Sequence, residues 1–175
     1  DRPPALVLLP GDRVNVELVS STTTNLPNLL IEASGTVHVP LAGDVAVSGL
    51  GLVAAEAKLR AALQRYDSLI QVTLTVAGLE GHKVTVVGAV KNPGVVPLQP
   101  AARLADVIMQ AGGTIVNLVQ GQLVSGSDLR TARLVRQGNQ VPVDFEKAMA
   151  GDPGHNVFLR GGDQIYIPSE SGLTI

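Results

Sequence analysis

The chain has no cysteine and no tryptophan, and its only aromatic residues are Tyr66, Phe145, Phe158 and Tyr166. Without Cys, the sequence excludes disulfides, thiolate nucleophiles and Cys-type zinc sites together; it leaves the compartment open, because a well-cored domain folds without disulfides anywhere. So few rings mean that the core is aliphatic, and Val and Leu supply most of the 45% hydrophobic content. Charge of one sign is also missing: 13 basic and 15 acidic residues give a formal net charge of -2 with no long run of either. That excludes a phosphate-tracking stripe, and with it nucleic acid as a partner. No stretch approaches the ~18 consecutive apolar residues of a membrane-spanning helix, and the sequence shows no signal peptide. Its 175 residues have room for one larger domain or two small ones, each with a core, and two are expected.

What is present is an echo. Leu9-Pro10-Gly11-Asp12 leads into the alternating Arg13 to Val19, and Leu159-Arg160-Gly161-Gly162-Asp163 leads into Gln164-Ile165-Tyr166-Ile167-Pro168. In each copy Gly permits the tight turn, Asp can accept from nearby amides, and the period-2 pattern marks a half-buried strand.

Between the copies, Ser20 to Asn28 is polar and reads as a loop. Leu29 to Ala33 and Thr36 to Leu41 read as a hairpin about Ser34-Gly35, and Ala42-Gly43-Asp44 turns the chain again into Val45-Ala46-Val47. From Leu52 to Tyr66, the residues Leu52, Leu59, Leu63 and Tyr66 fall on one helical face, with Glu56 and Arg60 at a supportive i,i+4 spacing. Gln71 to Val76 alternates as a strand, and Ala77 to Gly81 is the expected domain boundary.

In the second half, Gly88 interrupts the Val84 to Val90 strand and marks a bulge or a close backbone approach. Asn92-Pro93-Gly94-Val95 reads as a type II turn. Leu104, Val107, Ile108 and Ala111 give one helical face, ended by Gly112. Arg133 to Arg136 and Val141 to Asp144 read as a hairpin across Gln137 to Gln140, with Pro142 at an edge. Thr114 to Asp128 is too apolar for an ordinary loop and too punctuated for a plain strand. It reads as a hairpin or loop whose Ile115, Val116, Leu118, Val119, Leu123 and Val124 either fold back as core or meet a neighbouring subunit.

No catalytic or metal constellation emerges. His38, His82 and His155 lack metal-ligand spacing and read as surface or strand-face residues. Asp12, Asp44 and Asp163 each follow Gly, which suits turn capping, and no second carboxylate stands beside any of them in sequence. The serines lie in loops without a Gly-x-Ser-x-Gly elbow, and Gly49-Leu50-Gly51 is a helix entry rather than a nucleotide loop. No cofactor is expected.

Taken in order, these motifs resemble the polysaccharide export family of Gram-negative bacteria, whose best-known kind is the Wza-type translocon. The resemblance rests on Pro10-Gly11-Asp12, on Gly35 through Pro40 to Gly43, and on the Leu52 to Tyr66 helix and Val72 to Val76 strand. The second half is similar to the β-grasp module called SLBB through Val87-Gly88, Asn92-Pro93-Gly94, Ala111-Gly112-Gly113 and Gly162-Asp163 to Pro168. It implies an α+β chain: an export domain of mixed strands and one long helix over 1–79, a β-grasp domain over 80–168, and a tail over 169–175.

The family implies a periplasmic, outer-membrane-associated ring that conducts capsule or exopolysaccharide. Implied partners are further copies of the chain, an inner-membrane co-polymerase, a separate outer-membrane pore protein and the polymer as passing cargo. The family's acylated Cys and C-terminal membrane helix find no counterpart here, since no Cys is present and only Ser169 to Ile175 follow the last strand. Four aromatics offer few sugar-stacking faces, so a passing polymer is expected to be held weakly and released. A soluble-ligand-binding β-grasp module is the alternative, and an enzyme would require a carboxylate pair that the sequence does not display.

Overall fold

The computed structural model describes residues 2–170; of the expected tail, 171–175 lie outside the described residues. The chain divides into two units, the first holding Ala5–His82 and the second holding Lys83 onward together with the leading residues to Pro4. The described parts are α+β throughout.

In the first unit, β1 (Arg13–Val19) lies between β2 (Thr23–Leu30) and β5 (Gln71–Gly78) in an antiparallel sheet. Alternation turns Val14, Val16 and Leu18 of β1 and Val72 and Leu74 of β5 inward. There they meet Ala55, Leu59 and Leu63 of α1 (Leu52–Gln64). Each such fully buried Val or Leu contributes about 1.5–3 kcal/mol. Glu56 does two jobs: it pairs with Arg60 at 3.1 Å, and its other oxygen accepts from the Leu74 amide at 3.0 Å, tying helix to sheet. A separate hairpin joins β3 (Thr36–Val39) to β4 (Gly43–Ala46) and adds Val37, Val39 and Val45 to this core.

Three sequence expectations fail here. Thr23 to Asn28 is strand, not loop; Leu29 and Leu30 pair with Val14 and Arg13 of β1, so they form no hairpin arm against Thr36. β2 is an exposed edge, and its pairing shifts register between Val14 and Val16, opposite the stretch that holds Pro27. Neither of its faces is deeply buried, so no alternation is written into it. Tyr66 also leaves the helical face: α1 ends at Gln64 and Tyr66 is 62% exposed, while Ala55 fills the buried row.

In the second unit, five strands run in the order β11 (Asn139–Val141), β10 (Arg133–Arg136), β12 (Gln164–Ile167), β6 (Lys83–Gly88) and β7 (Gly94–Pro97). β12 and β6 are parallel; the other pairs are antiparallel. One face of this sheet carries Val84, Val86, Leu134, Ile165 and Ile167. These pack against Leu104, Val107 and Ile108 of α2 (Leu104–Gln110) and against Phe145 and Ala148 of α3 (Phe145–Met149). The Arg103 amide donates to the Asp106 carboxylate at 2.9 Å, and the Lys147 amide donates to Asp144 at 3.1 Å, so both helices begin on satisfied amides.

Two local readings change. Gly94 opens β7 at φ 142, not the roughly 80° of a type II turn. The reversal is longer, because Lys91 and Asn92 are drawn aside to bond the Gly113 and Ala111 carbonyls. The β10–β11 hairpin turns on Gln137-Gly138 alone, so its second arm is Asn139 to Val141 rather than Val141 to Asp144. Finally, β8 (Val116–Val119) and β9 (Gln122–Ser125) pair with each other in a two-stranded sheet of their own.

Candidate functional site

The two Gly-Asp turns are built alike. Asp12 is fully buried; one of its oxygens accepts from the Leu9 amide at 2.9 Å and the other from the Gly81 amide at 2.8 Å. Asp163, 1% exposed, accepts from the Arg160 amide at 2.8 Å, again three residues upstream. Each carboxylate then takes a distant partner, His82 for Asp12 at 2.9 Å and Arg136 for Asp163. Arg136 binds both oxygens of Asp163, at 2.9 and 2.8 Å, and donates to the Phe158 carbonyl at 3.2 Å. Hydrogen bonding to Asp163 raises the guanidinium pKa above its usual value, against the opposing cost of burial. Carboxylates bonded in this way anchor the backbone of the turns.

Sequence reasoning missed both long-range partners. His82 is neither a surface nor a strand-face residue: its side chain is only 14% exposed and serves the first turn from 70 positions away. Nothing in the spacing marks Arg136 as Asp163's partner. His38 does stand on an exposed strand face, paired with Asp44 across the β3–β4 hairpin at 2.9 Å, and His155 accepts from the Asp144 amide at 3.0 Å.

The remaining motif residues support turns and close crossings. Gly11 and Gly81 stack backbone on backbone: a β-carbon on Gly81 would stand 2.3 Å from the Pro10 carbonyl oxygen. Gly35 lies against Ser48, and its carbonyl receives the Val47 and Ser48 amides. Pro40 and Gly43 make the β3–β4 turn. Gly112 and Gly113 end α2 beside Lys91 and Asn92, just before Pro93 and Gly94. Gly88 crosses β12 at Ile167, one residue before Pro168, whose carbonyl receives the Asp128 amide at 2.8 Å. Among the described residues, no group of three His, Asp or Glu stands close enough to hold a metal ion, and no helix is long and apolar enough to cross a membrane. A shallow trough of about 410 Å³ lies along the polar side of the first sheet, lined by Asn15, Glu17, Asn25, Leu26, Thr73 and Thr75 among others.

The Thr114 to Asp128 segment is the surface that stands out. Its base is fixed: the buried Ser127 hydroxyl donates to the Ala89 carbonyl and accepts from the Ile115 amide, and Gly126 bonds the Ile115 carbonyl. Asp128 accepts from the Thr131 hydroxyl at 2.8 Å, which holds its carboxyl below the usual carboxylate range. Ile115 packs partly on the core and Val124 is half-buried, but the arms above them carry an apolar face into solvent. Leu118 and Leu123 sit directly opposite each other at 71% and 78% exposure, and Val116, on the same face, is 56% exposed. Val119, on the reverse face, is 41% exposed.

Comparison with known proteins matches both units. Residues 1–77 match the family of polysaccharide biosynthesis/export proteins, and residues 83–143 match the SLBB domain. The capsule polysaccharide export protein BexD of Haemophilus influenzae is 30% identical over 151 residues, 85% of this chain and 35% of BexD. The capsule polysaccharide export outer membrane protein CtrA of Neisseria meningitidis is 29% identical over 168 residues, 94% of this chain and 39% of CtrA. The polysialic acid transport protein KpsD of Escherichia coli is 28% identical over 176 residues, 98% of this chain and 30% of KpsD. The chain thus spans well under half the length of these relatives. Residues 1–77 thus belong to the polysaccharide biosynthesis/export family, and an SLBB domain follows them at 83–143.

Proposed function

We propose that the protein is a component of a translocon that exports capsular polysaccharide or exopolysaccharide, standing in the periplasm in association with the outer membrane. It works without an active site, as a wall of an oligomeric conduit. The carrying observation is the β8–β9 hairpin, whose Val116, Leu118 and Leu123 make an apolar face on a rigid base. A closed ring needs a heterologous contact between two different patches of each protomer, and an exposed apolar projection suits one of them. Ile115 and Val124 root this contact, while Val119 extends it to the reverse face. The family of the two units and the export functions in the relatives' names support the same reading. Under it, the inner-membrane co-polymerase delivers the polymer, and a separate outer-membrane pore protein receives it.

The test is polymer secretion and subunit crosslinking in cells carrying Leu118→Asp with Leu123→Asp. Loss of both, with the variant folded and at normal abundance, is expected. A folded variant with secretion and crosslinks untouched moves the interface elsewhere.

A further inference from the structure

Among the described residues of the second unit, the helices cover one face of the five-stranded sheet. Its inward residues meet α2 and α3, so alternation sends the other set outward. The register orders that outer set into rows. Val87 stands opposite Tyr166, and Tyr166 stands opposite Arg133. In the next row Val95 faces Thr85, and Thr85 faces Gln164. Val87, Val95 and Tyr166 are 42%, 62% and 39% exposed. The Arg133 guanidinium lies 5.1 Å from the centre of the Tyr166 ring, and Lys83 is exposed at the start of β6.

The charge on this face is one-sided. None of the five strands carries an Asp or Glu. Neither Arg133 nor Lys83 has an acidic partner among the described residues, whereas Arg136, on the other face, is fully paired with Asp163.

We infer that this open sheet face binds anionic polysaccharide, a polymer of carboxylate-bearing sugars. The aromatic ring and neighbouring valines offer a flat apolar seat for the C–H face of a sugar, Thr85 and Gln164 offer hydrogen bonds to its hydroxyls, and Arg133 and Lys83 neutralise its carboxylates. The unpaired cations decide against a second copy seated symmetrically on the same face, which would set Arg133 and Lys83 against their own kind. A flat face makes few contacts with each sugar, so binding is weak at each point and the polymer can slide, which suits conduction better than storage. The inference rests on the export reading above and deepens it by naming the cargo's charge and the surface it meets.

The experiment uses the purified protein at low salt, with polygalacturonate as the anionic polymer and dextran as the neutral control, followed by amide chemical shifts. Polygalacturonate is expected to shift resonances of β6, β10 and β12, and dextran to leave them unmoved. Arg133→Gln and Lys83→Gln should each weaken binding about fivefold, the scale of one exposed charge contact, with Arg133→Lys retaining most of it. Polygalacturonate binding of undiminished strength in the Arg133→Gln, Lys83→Gln double variant overturns the inference. So do shifts confined to other faces, equal binding of dextran, and self-association through the Tyr166 face. This assay reads binding by the isolated chain, whereas the conduit reading stands on secretion and crosslinking in cells. Binding without any role in secretion would sink the conduit and leave the sheet site; secretion that depends on the hairpin, without binding, would do the reverse.

Discussion

Gly88 crosses Ile167 so closely that a β-carbon on Gly88 would stand 2.1 Å from the Ile167 carbonyl oxygen. The contact lies where the parallel β6–β12 pair ends, and the Ala89 amide donates to that same carbonyl at 2.7 Å. Gly88 also sits at φ 102, so an added side chain meets both backbone strain and a backbone collision. Gly88→Ala should therefore cost roughly 2–4 kcal/mol in chemical denaturation. Gly51→Ser is the contrast. At this N-cap position φ is negative, the nearest atom to a new β-carbon is 3.6 Å away, and a serine hydroxyl can cap α1, so stability should hold or rise by a few tenths of a kcal/mol.

The α2 core face yields a second prediction. Ile108 is fully buried among Leu104, Val107 and the inward residues of the sheet. Ile108→Ala should cost about 2–5 kcal/mol by denaturation. A loss below about half a kcal/mol would show that the site collapses around the gap or is not core.

Arg136→Gln should be as severe for a different reason. It strands Asp163, a 1% exposed carboxylate, with the Arg160 amide as its remaining donor, and the penalty for leaving a buried charge unpaired is about 3–5 kcal/mol. Asp163→Asn in the Arg136→Gln background should recover part of this loss. Thermal melts of the single and double variants check it; strict additivity would mean that the two groups act independently.

How far the sequence led depended on distance along the chain. The helical face of Leu104, Val107, Ile108 and Ala111 and the turn chemistry of Gly11-Asp12 and Gly162-Asp163 are local, and alternation or spacing exposes them directly. His82 and Arg136 are functional parts of those same turns, but each reaches its carboxylate through tertiary folding, so no short-range pattern announces it. β2 was hidden for the opposite reason. Thr23, Thr24, Asn25 and Asn28 satisfy an edge strand whose faces meet water, and a strand without a buried face leaves no period-2 signature. The apolar content of Thr114 to Asp128 was legible, but whether it turned inward could be decided only by the three-dimensional placement of Leu118 and Leu123.

The hairpin base should respond to acid. The Thr131 hydroxyl favours ionised Asp128 most strongly; desolvation opposes it, and the Arg130 amide and charge and the Thr131 amide add smaller support, so the folded pKa is depressed. A depressed carboxylate stabilises the fold above its unfolded pKa of about 3.9, and that contribution is lost as pH falls through the lower folded value. Thr131→Val removes the largest cause and should move the Asp128 carboxyl titration upward, as read by carbon NMR. An unchanged titration would assign the depression to Arg130 instead.

The last prediction separates surface from core within one hairpin. Leu118 and Leu123 are 71% and 78% exposed and oppose each other across β8 and β9, whereas Ile115, at the root of the same hairpin, packs on the core. Charging the two leucines changes only water-facing groups, so Leu118→Asp with Leu123→Asp should alter the stability of the isolated chain by no more than about 0.5 kcal/mol for each site. Ile115→Asp places a carboxylate against apolar neighbours without a partner and should lower stability by several times as much. Guanidinium melts of the two variants at low protein concentration make the comparison. If the leucine pair proved as damaging as Ile115→Asp, those side chains would be core of the folded chain, and the apolar face proposed for the ring contact would not exist.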